Sequence, residues 1–241
     1  MERYNFGRFE KELDQLNITL SDQQLEQFTQ YYEKLIEWNS FMNLTSITAF
    51  DEVFLKHFVD SLSIVNGMTM NEVSTVIDVG TGAGFPGIPL KVVFPHLKVT
   101  LLDSLNKRVT FLNEVISVLK LDEIAAIHGR AEDFAKKQKY RENYDLCVSR
   151  AVANLSSLSE YCLPYVKIGG RFVSYKAKEA EDEVKQARKA IDVLGGEQVK
   201  TLHFCLPGSD MERSLIFIQK KKSTPGAYPR KAGLPGKDPI I

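Results

Sequence analysis

Two hydrophobic periods divide the chain near residue 70. Between Asn17 and Asn66 apolar residues recur at three- and four-residue spacing, as Leu25, Phe28, Tyr32, Leu35 and Ile36 and then as Val53, Phe54, Phe58, Leu62 and Val65. That spacing predicts helices, because residues three and four apart share a helix face. Ser21 followed by Gln24 has the form of a capping box and opens the first; the second is expected over 51–65. From Ser74 onward short β-rich runs alternate with amphipathic stretches. Strands are expected at 75–79, 98–103, 124–128, 144–149 and 170–176, and helices at 86–94, 105–120, 131–139, 154–166 and 178–194. Such alternation implies a mostly parallel sheet covered by helices on both faces. Two later runs, 198–205 and 214–219, are joined by Leu206-Pro207-Gly208-Ser209-Asp210, too short a link for a crossover helix. They are expected to pair antiparallel at the sheet edge, completing seven strands in a doubly wound, Rossmann-like α/β fold. The organisation read this way is a helical extension over 1–70, a catalytic-type domain over 71–222 and an irregular Pro/Gly-rich tail over 223–241.

Composition narrows the classes. At 241 residues and 44% hydrophobic the chain can fill a core unaided. Cys147, Cys162 and Cys205 are odd in number and widely spaced, so neither a disulfide framework nor a zinc site is indicated, and all three read as buried small apolar residues. Met1 to Phe9 has no apolar core of a leader, and no run approaches the length of a membrane span, so a cytoplasmic protein without membrane contact is expected. The 31 basic and 31 acidic residues cancel, which excludes a globally basic nucleic-acid binder. The tail is locally different: from Lys220 on, six basic residues oppose the single Asp238. A basic arm of that kind is compatible with phosphate, and monomer is the default state.

The chemistry concentrates after the first strand. Asp78-Val79-Gly80-Thr81-Gly82-Ala83-Gly84-Phe85-Pro86-Gly87 leads from strand to helix, where glycines let backbone turn sharply and approach a ligand. Asp103 ends the second strand, a place from which a carboxylate can accept ribose hydroxyls. A bare GxGxxG pattern also fits NAD. Two features favour S-adenosylmethionine instead: Asp78 precedes the glycines, where an acid suits a cationic ligand and repels a pyrophosphate, and the parallel strands end in an antiparallel hairpin.

Several runs then resemble one family. Ile77 to Leu90, Leu101 to Arg108, Gly129 to Phe134, Val148 to Ala153, the upstream Trp38-Asn39, Asn43-Leu44-Thr45 and His57 with Asp60-Ser61, and the tail motif from Tyr228 through Arg230 and Gly233 to Pro235 look like the RsmG family, formerly called glucose-inhibited division protein B. The resemblance implies a class I S-adenosylmethionine-dependent methyltransferase that modifies N7 of one guanine, at position 527 in the 530 loop of 16S ribosomal RNA in the small subunit. It implies cofactor contacts at Gly80, Phe85, Asp103, Ala131, Glu132 and Arg150; Asp78, Gly82, Gly84, Ser104 and Leu105 complete the candidate set.

A ring nitrogen with a free lone pair needs no general base, so no catalytic base and no metal are expected, only in-line positioning. Arg150 is read as contacting the methionine carboxylate or RNA, or else as pairing with Asp78 or Glu132. His57 and Asp60 are read as a hydrogen-bonded helix-surface pair before a metal or acid/base pair, with positioning at most as their role. Asn43-Leu44-Thr45 either turns the chain or orders substrate. Lys176 is a candidate phosphate contact or a solvated strand end; Lys136, Lys137, Lys139 and Arg141 are a solvated helix end or a phosphate footprint. Tyr228, Arg230 and Lys231 are the tail's candidates for RNA, in an extended segment that orders on binding. Two other classes stay open: an NAD(P)-dependent oxidoreductase, and a nonenzymatic RNA-binding protein on a methyltransferase scaffold.

Overall fold

The computed structural model describes residues 4–177 and 180–241. Its centre is a seven-stranded sheet of order β3-β2-β1-β4-β5-β7-β6. The strands are β1 (Thr75–Val79), β2 (Lys98–Asp103), β3 (Ile124–His128), β4 (Tyr144–Arg150), β5 (Val166–Lys176), β6 (Gly196–Cys205) and β7 (Glu212–Lys220). The first five are parallel, and β7 runs antiparallel between β5 and β6. The expected architecture and edge hairpin are therefore present. Burial follows position: β1 is buried at four of its five residues, whereas β3 and β6 at the two edges are half-exposed, as a strand covered on one side requires. Cys205 lies on edge strand β6 and is exposed, unlike buried Cys147 and Cys162, so the expectation of three buried thiols fails at the sheet edge.

Strand order reverses between β1 and β4, and the register aligns the C-terminal ends there: Asp78 lies beside both Leu101 and Val148, and Asp103 beside His128. An open α/β sheet leaves its ligand crevice at such a point, outside the strands' carboxyl ends.

Helices α1 (Gly7–Asp14), α2 (Asp22–Met42), α3 (Phe50–Val53) and α4 (Asp60–Leu62) precede the sheet. Helix α1 was not expected from the sequence. The capping box of α2 is formed, Ser21 Oγ accepting from the Gln24 amide and Gln24 Oε1 from the Ser21 amide. The buried face of α2 centres on Phe28, Tyr31 and Leu35 rather than on Tyr32 and Ile36, one residue round from the predicted stripe. Between α3 and α4 a wide π-turn (Phe54–Val59) replaces the single α-helix expected over 51–65. It still buries Phe54, Phe58 and Leu62, in one apolar cluster with Phe28, Tyr31 and the loop residue Phe85.

Crossover helices α5 (Gly87–Val93), α6 (Asn106–Val118), α7 (Ala131–Phe134), α8 (Leu155–Cys162) and α9 (Glu181–Val193) follow, then one turn, α10 (Leu234–Lys237). Helix α7 is less than half its expected length, and the start expected for α9, Lys178 and Glu179, lies outside the described residues. Packing of α8 and α9 on the other face of the sheet makes a second core around Leu158, Cys162, Phe172 and Ile191.

Candidate functional site

The loop from Gly80 to Gly87 has three glycines at left-handed φ, 71° at Gly80, 62° at Gly82 and 97° at Gly84. Its shape is fixed from below. Asp78, fully buried, accepts from Thr81 Oγ1 at 2.7 Å and from the Gly87 amide at 2.8 Å through one oxygen. Burial pushes its carboxyl up to about 7. Asp78 is thus a brace beneath the loop and is absent from the cavity lining, which corrects its reading as a ligand-facing acid. A second brace is Tyr31, whose buried hydroxyl donates to Ala83 O. Sequence reading missed Tyr31 because its partner lies 52 positions away.

Above the loop a cavity of about 400 Å³ opens at the strand ends. Of the expected cofactor residues, Gly80 from β1, Ser104 and Leu105 after β2, and Ala131 and Glu132 after β3 line it together. Asp103 sits beside it with both oxygens engaged, Oδ2 accepting from the Gly82 amide and Oδ1 from the Leu105 amide, each at 2.9 Å. Arg108 approaches Oδ2 at 3.4 Å. A carboxylate has about four acceptor positions, so one on Oδ1 remains. Gly82, Gly84, Phe85, Arg150 and Asp103 itself are not in this lining, although Leu102 and Ser104 on either side of Asp103 are. Val152 and Gly233, which lie in the family-like runs but were not expected as cofactor contacts, are in it, as is Tyr161. Val152 follows Ala151 at left-handed φ 58° and lies over Gly80, where a Cβ would meet it at 2.6 Å.

Arg150 belongs to a separate constellation on the α3–α4 side. Its Nη1 donates to Asp60 Oδ2 at 3.0 Å and to Lys56 O at 3.2 Å, and its Nη2 to His57 Nδ1 at 3.2 Å. Arg213 on β7 takes the other Asp60 oxygen at 3.2 Å. The guanidinium stands 5.1 Å over the Phe85 ring, on which His57 stacks at 4.6 Å. A guanidinium only donates, so His57 Nδ1 is the acceptor and Nε2 carries the proton, donated to Thr45 Oγ1 at 2.9 Å. Burial, then the Arg150 charge, holds His57 down to about 3, and the ring is neutral. The partner of Arg150 is therefore Asp60, not Asp78 or Glu132, and His57 and Asp60 meet through Arg150 instead of forming an exposed pair. Thr45 serves as the hydroxyl that fixes His57; Asn43 terminates α2 in the left-handed region.

The basic candidates are mostly engaged. Lys176 donates to Ala153 O at 3.0 Å and pairs with Glu183 at 2.7 Å. Arg230 makes a double-pronged pair with buried Glu160, Nη2–Oε2 being 2.8 Å, and Arg141 donates to the Tyr228 carbonyl at 2.9 Å. Lys137 lies 3.6 Å over Phe134. Lys231 is exposed. The tail is packed against α8, not extended, so the free arm expected from composition is corrected: 70 or more residues away, buried Glu160 accepts from its Arg230 and Arg141 donates to its Tyr228 carbonyl.

A parallel sheet with antiparallel β7 inserted beside β5, a glycine loop after β1 and an acid closing β2 define the class I S-adenosylmethionine-dependent methyltransferase fold. Among solved structures, that of P. horikoshii TYW2 in complex with MeSAdo has this fold, with a TM-score of 0.51 and 17% identity over 63% of this chain and 58% of that one. Sequence defines the family. The GidB profile, described as rRNA small subunit methyltransferase G, matches residues 24–215, and the chain belongs to that family. A relative of that description from Exiguobacterium sp. is 52% identical over 98% of this chain and 100% of its own length. Another, from Lachnoclostridium phytofermentans, is 54% identical over 95% of each.

Proposed function

We propose that this chain methylates ribosomal RNA of the small subunit, transferring the methyl group of S-adenosylmethionine to N7 of one guanine in the 530 loop of 16S RNA, in the cytoplasm. The observation that carries the cofactor half is the cavity at the ends of β1, β2 and β3, with Gly80, Ser104, Leu105, Ala131 and Glu132 in its wall and Asp103 between the lining residues Leu102 and Ser104. Family membership supports the substrate half. The remaining acceptor position on Asp103 suits a ribose hydroxyl. The cofactor supplies an electrophilic methyl on a sulfonium. Guanine N7 donates its lone pair to that carbon, the carbon–sulfur pair returns to sulfur, and the cation formed is shared by the purine ring. No proton moves, so what the protein contributes is alignment and exclusion of water. Arg150, clamped by Asp60 and His57 beside Phe85, presents a fixed cation on the β4 side of the reversal point, where methionine carboxylate or RNA phosphate is met.

The test is incubation with tritiated S-adenosylmethionine and small subunits lacking the modification, followed by mapping of the label. Label at one guanine N7, lost in Asp103→Ala, is the expected outcome. Cofactor binding without labelled RNA would remove the substrate assignment and leave the cofactor.

A further inference from the structure

The C-terminal tail is held by side chains aimed at its backbone. Arg141 donates to the carbonyls of Thr224, Pro225 and Tyr228 at 2.7, 3.3 and 2.9 Å. From α8, Ser157 Oγ donates to Pro235 O at 2.7 Å, and Glu160, 1% exposed, accepts both the Arg230 guanidinium and, at 2.7 Å, the Arg230 amide. Contacts to main-chain groups fix where a chain runs, and here they deliver Gly233 to the cavity wall. Gly233 has φ 81°, and its amide donates to Glu132 Oε1 at 2.7 Å. Both residues line the cavity, and Glu132 is only 5% exposed. A hydrogen bond from a backbone N–H to a carboxylate is among the stronger ones, so the orientation of Glu132 depends on a residue 101 positions away.

The place of this contact says which part of a ligand it serves. Across the order β3-β2-β1-β4 the reversal lies between β1 and β4, whereas Glu132 follows β3, at the far end. Methyl transfer belongs near the reversal, and the β3 end holds the remote part of the cofactor.

We propose that the tail is a wall of the cofactor cavity rather than an RNA arm, and that Gly233 is a positioning residue whose amide sets the Glu132 carboxylate for the adenosine portion. This rests on the reading of the cavity as the S-adenosylmethionine site. Contacts to the remote part of a cofactor are made equally in ground and transition states, so their loss raises KM more than it lowers kcat.

The experiment uses the full chain carrying Arg230→Ala with Glu160→Gln, a pair chosen so that no buried carboxylate is stranded. Calorimetric titration with S-adenosylhomocysteine, hydrogen exchange of residues 224–238 and methyl-transfer kinetics on small subunits are read together. In the wild type S-adenosylhomocysteine slows exchange of the tail. In the double variant the tail exchanges fast, the Kd for S-adenosylhomocysteine and the KM for S-adenosylmethionine rise about tenfold, and kcat changes by no more than about twofold. Unchanged affinity in a variant whose exchange shows the tail released overturns the proposal, as does a fall in kcat with KM unmoved. Should that variant not fold, Glu132→Ala removes the acceptor from the other side: faster exchange at the Gly233 amide together with weaker binding is expected, and unaltered exchange there overturns the proposal. A wild type that binds no S-adenosylhomocysteine overturns the cofactor reading itself, a different failure from equal binding by wild type and variants.

Discussion

A methyl group added at Gly84 and one added at Gly82 separate two jobs of one loop. At Gly84, with φ 97°, a Cβ would stand 2.5 Å from the Tyr31 hydroxyl and 2.6 Å from Ile88 Cδ1; at Gly82, with φ 62°, it meets nothing within 4 Å among the described residues. Gly84→Ala combines left-handed strain with overpacking and is expected to lose about 3 kcal/mol in urea unfolding. Gly82→Ala carries the strain alone, about 1 kcal/mol, yet its methyl enters the open side of the loop and should weaken S-adenosylmethionine binding at least tenfold by calorimetry; normal binding would argue that the ligand does not approach Gly82. Two buried groups make opposed pH terms. Asp78, raised to about 7, holds its proton in the folded state, so its contribution is full below pH 4 and is lost as pH rises toward 7. His57, lowered to about 3, stays neutral when folded, so its contribution is full above pH 6.5 and is lost as pH falls toward 3. Between pH 4 and 6.5 the slopes cancel, each being about 1.4 kcal/mol per pH unit at most. Asp78→Asn should therefore leave stability rising with pH in that window, and His57→Gln should leave it falling, as denaturation midpoints at pH 4.5 and 6.5 will report. Glycines and strand-end acids were readable because their requirement is local. Which oxygen of Asp78 braces Thr81, or that Tyr31 reaches Ala83, depends on what a third element brings near.

At the scale of elements, the turn between α3 and α4 illustrates how a correct helix pattern hides a working irregularity. The apolar spacing of Phe54, Phe58 and Leu62 reads the same through a π-turn as through an α-helix, so the sequence announces the buried face and is silent about the widening. Yet that turn presents Lys56 O, His57 and Asp60 toward one guanidinium, and Asp60 then joins α4 to both β4 and β7 through Arg150 and Arg213. Arg150 lies 90 and Arg213 153 positions from Asp60, separations at which no spacing rule operates. Asp60→Asn leaves two neighbouring guanidinium groups with a neutral amide, a loss on the order of 3 kcal/mol. A lower urea midpoint with parallel loss of methyl transfer is expected, and an unchanged midpoint would mean that the two arginines are held by something other than this carboxylate. The strands fared better than the helices beside them, since alternation and β-branching mark strands locally, while α7 stops at Phe134 and leaves Lys137 to lie over that ring.

For the whole molecule the question is how a neutral protein engages a polyanion. The tail was the one region whose composition suggested a phosphate-binding arm, and its Arg230 is spent on Glu160, with Lys220 buried against Glu142. Composition counts charges and cannot see which of them a fold neutralises. Of the other candidates Lys176 is paired with Glu183, while Lys136, Lys137, Lys139 and Lys231 are exposed, as is Arg130 in the cavity wall. Each phosphate neutralised on single-stranded RNA contributes roughly 0.7 to the slope of log K against log salt. With about three of these cations meeting phosphate, the slope for isolated 16S RNA is expected near −2, and binding should be weak even at low salt. Recognition then has to come from shape, from a loop presented in the folded and assembled particle, so methyl transfer to intact small subunits should exceed that to naked 16S RNA by at least tenfold at physiological salt. Equal rates on both, with a slope steeper than about −5, would mean that about seven or more phosphates are engaged and would overturn recognition by shape.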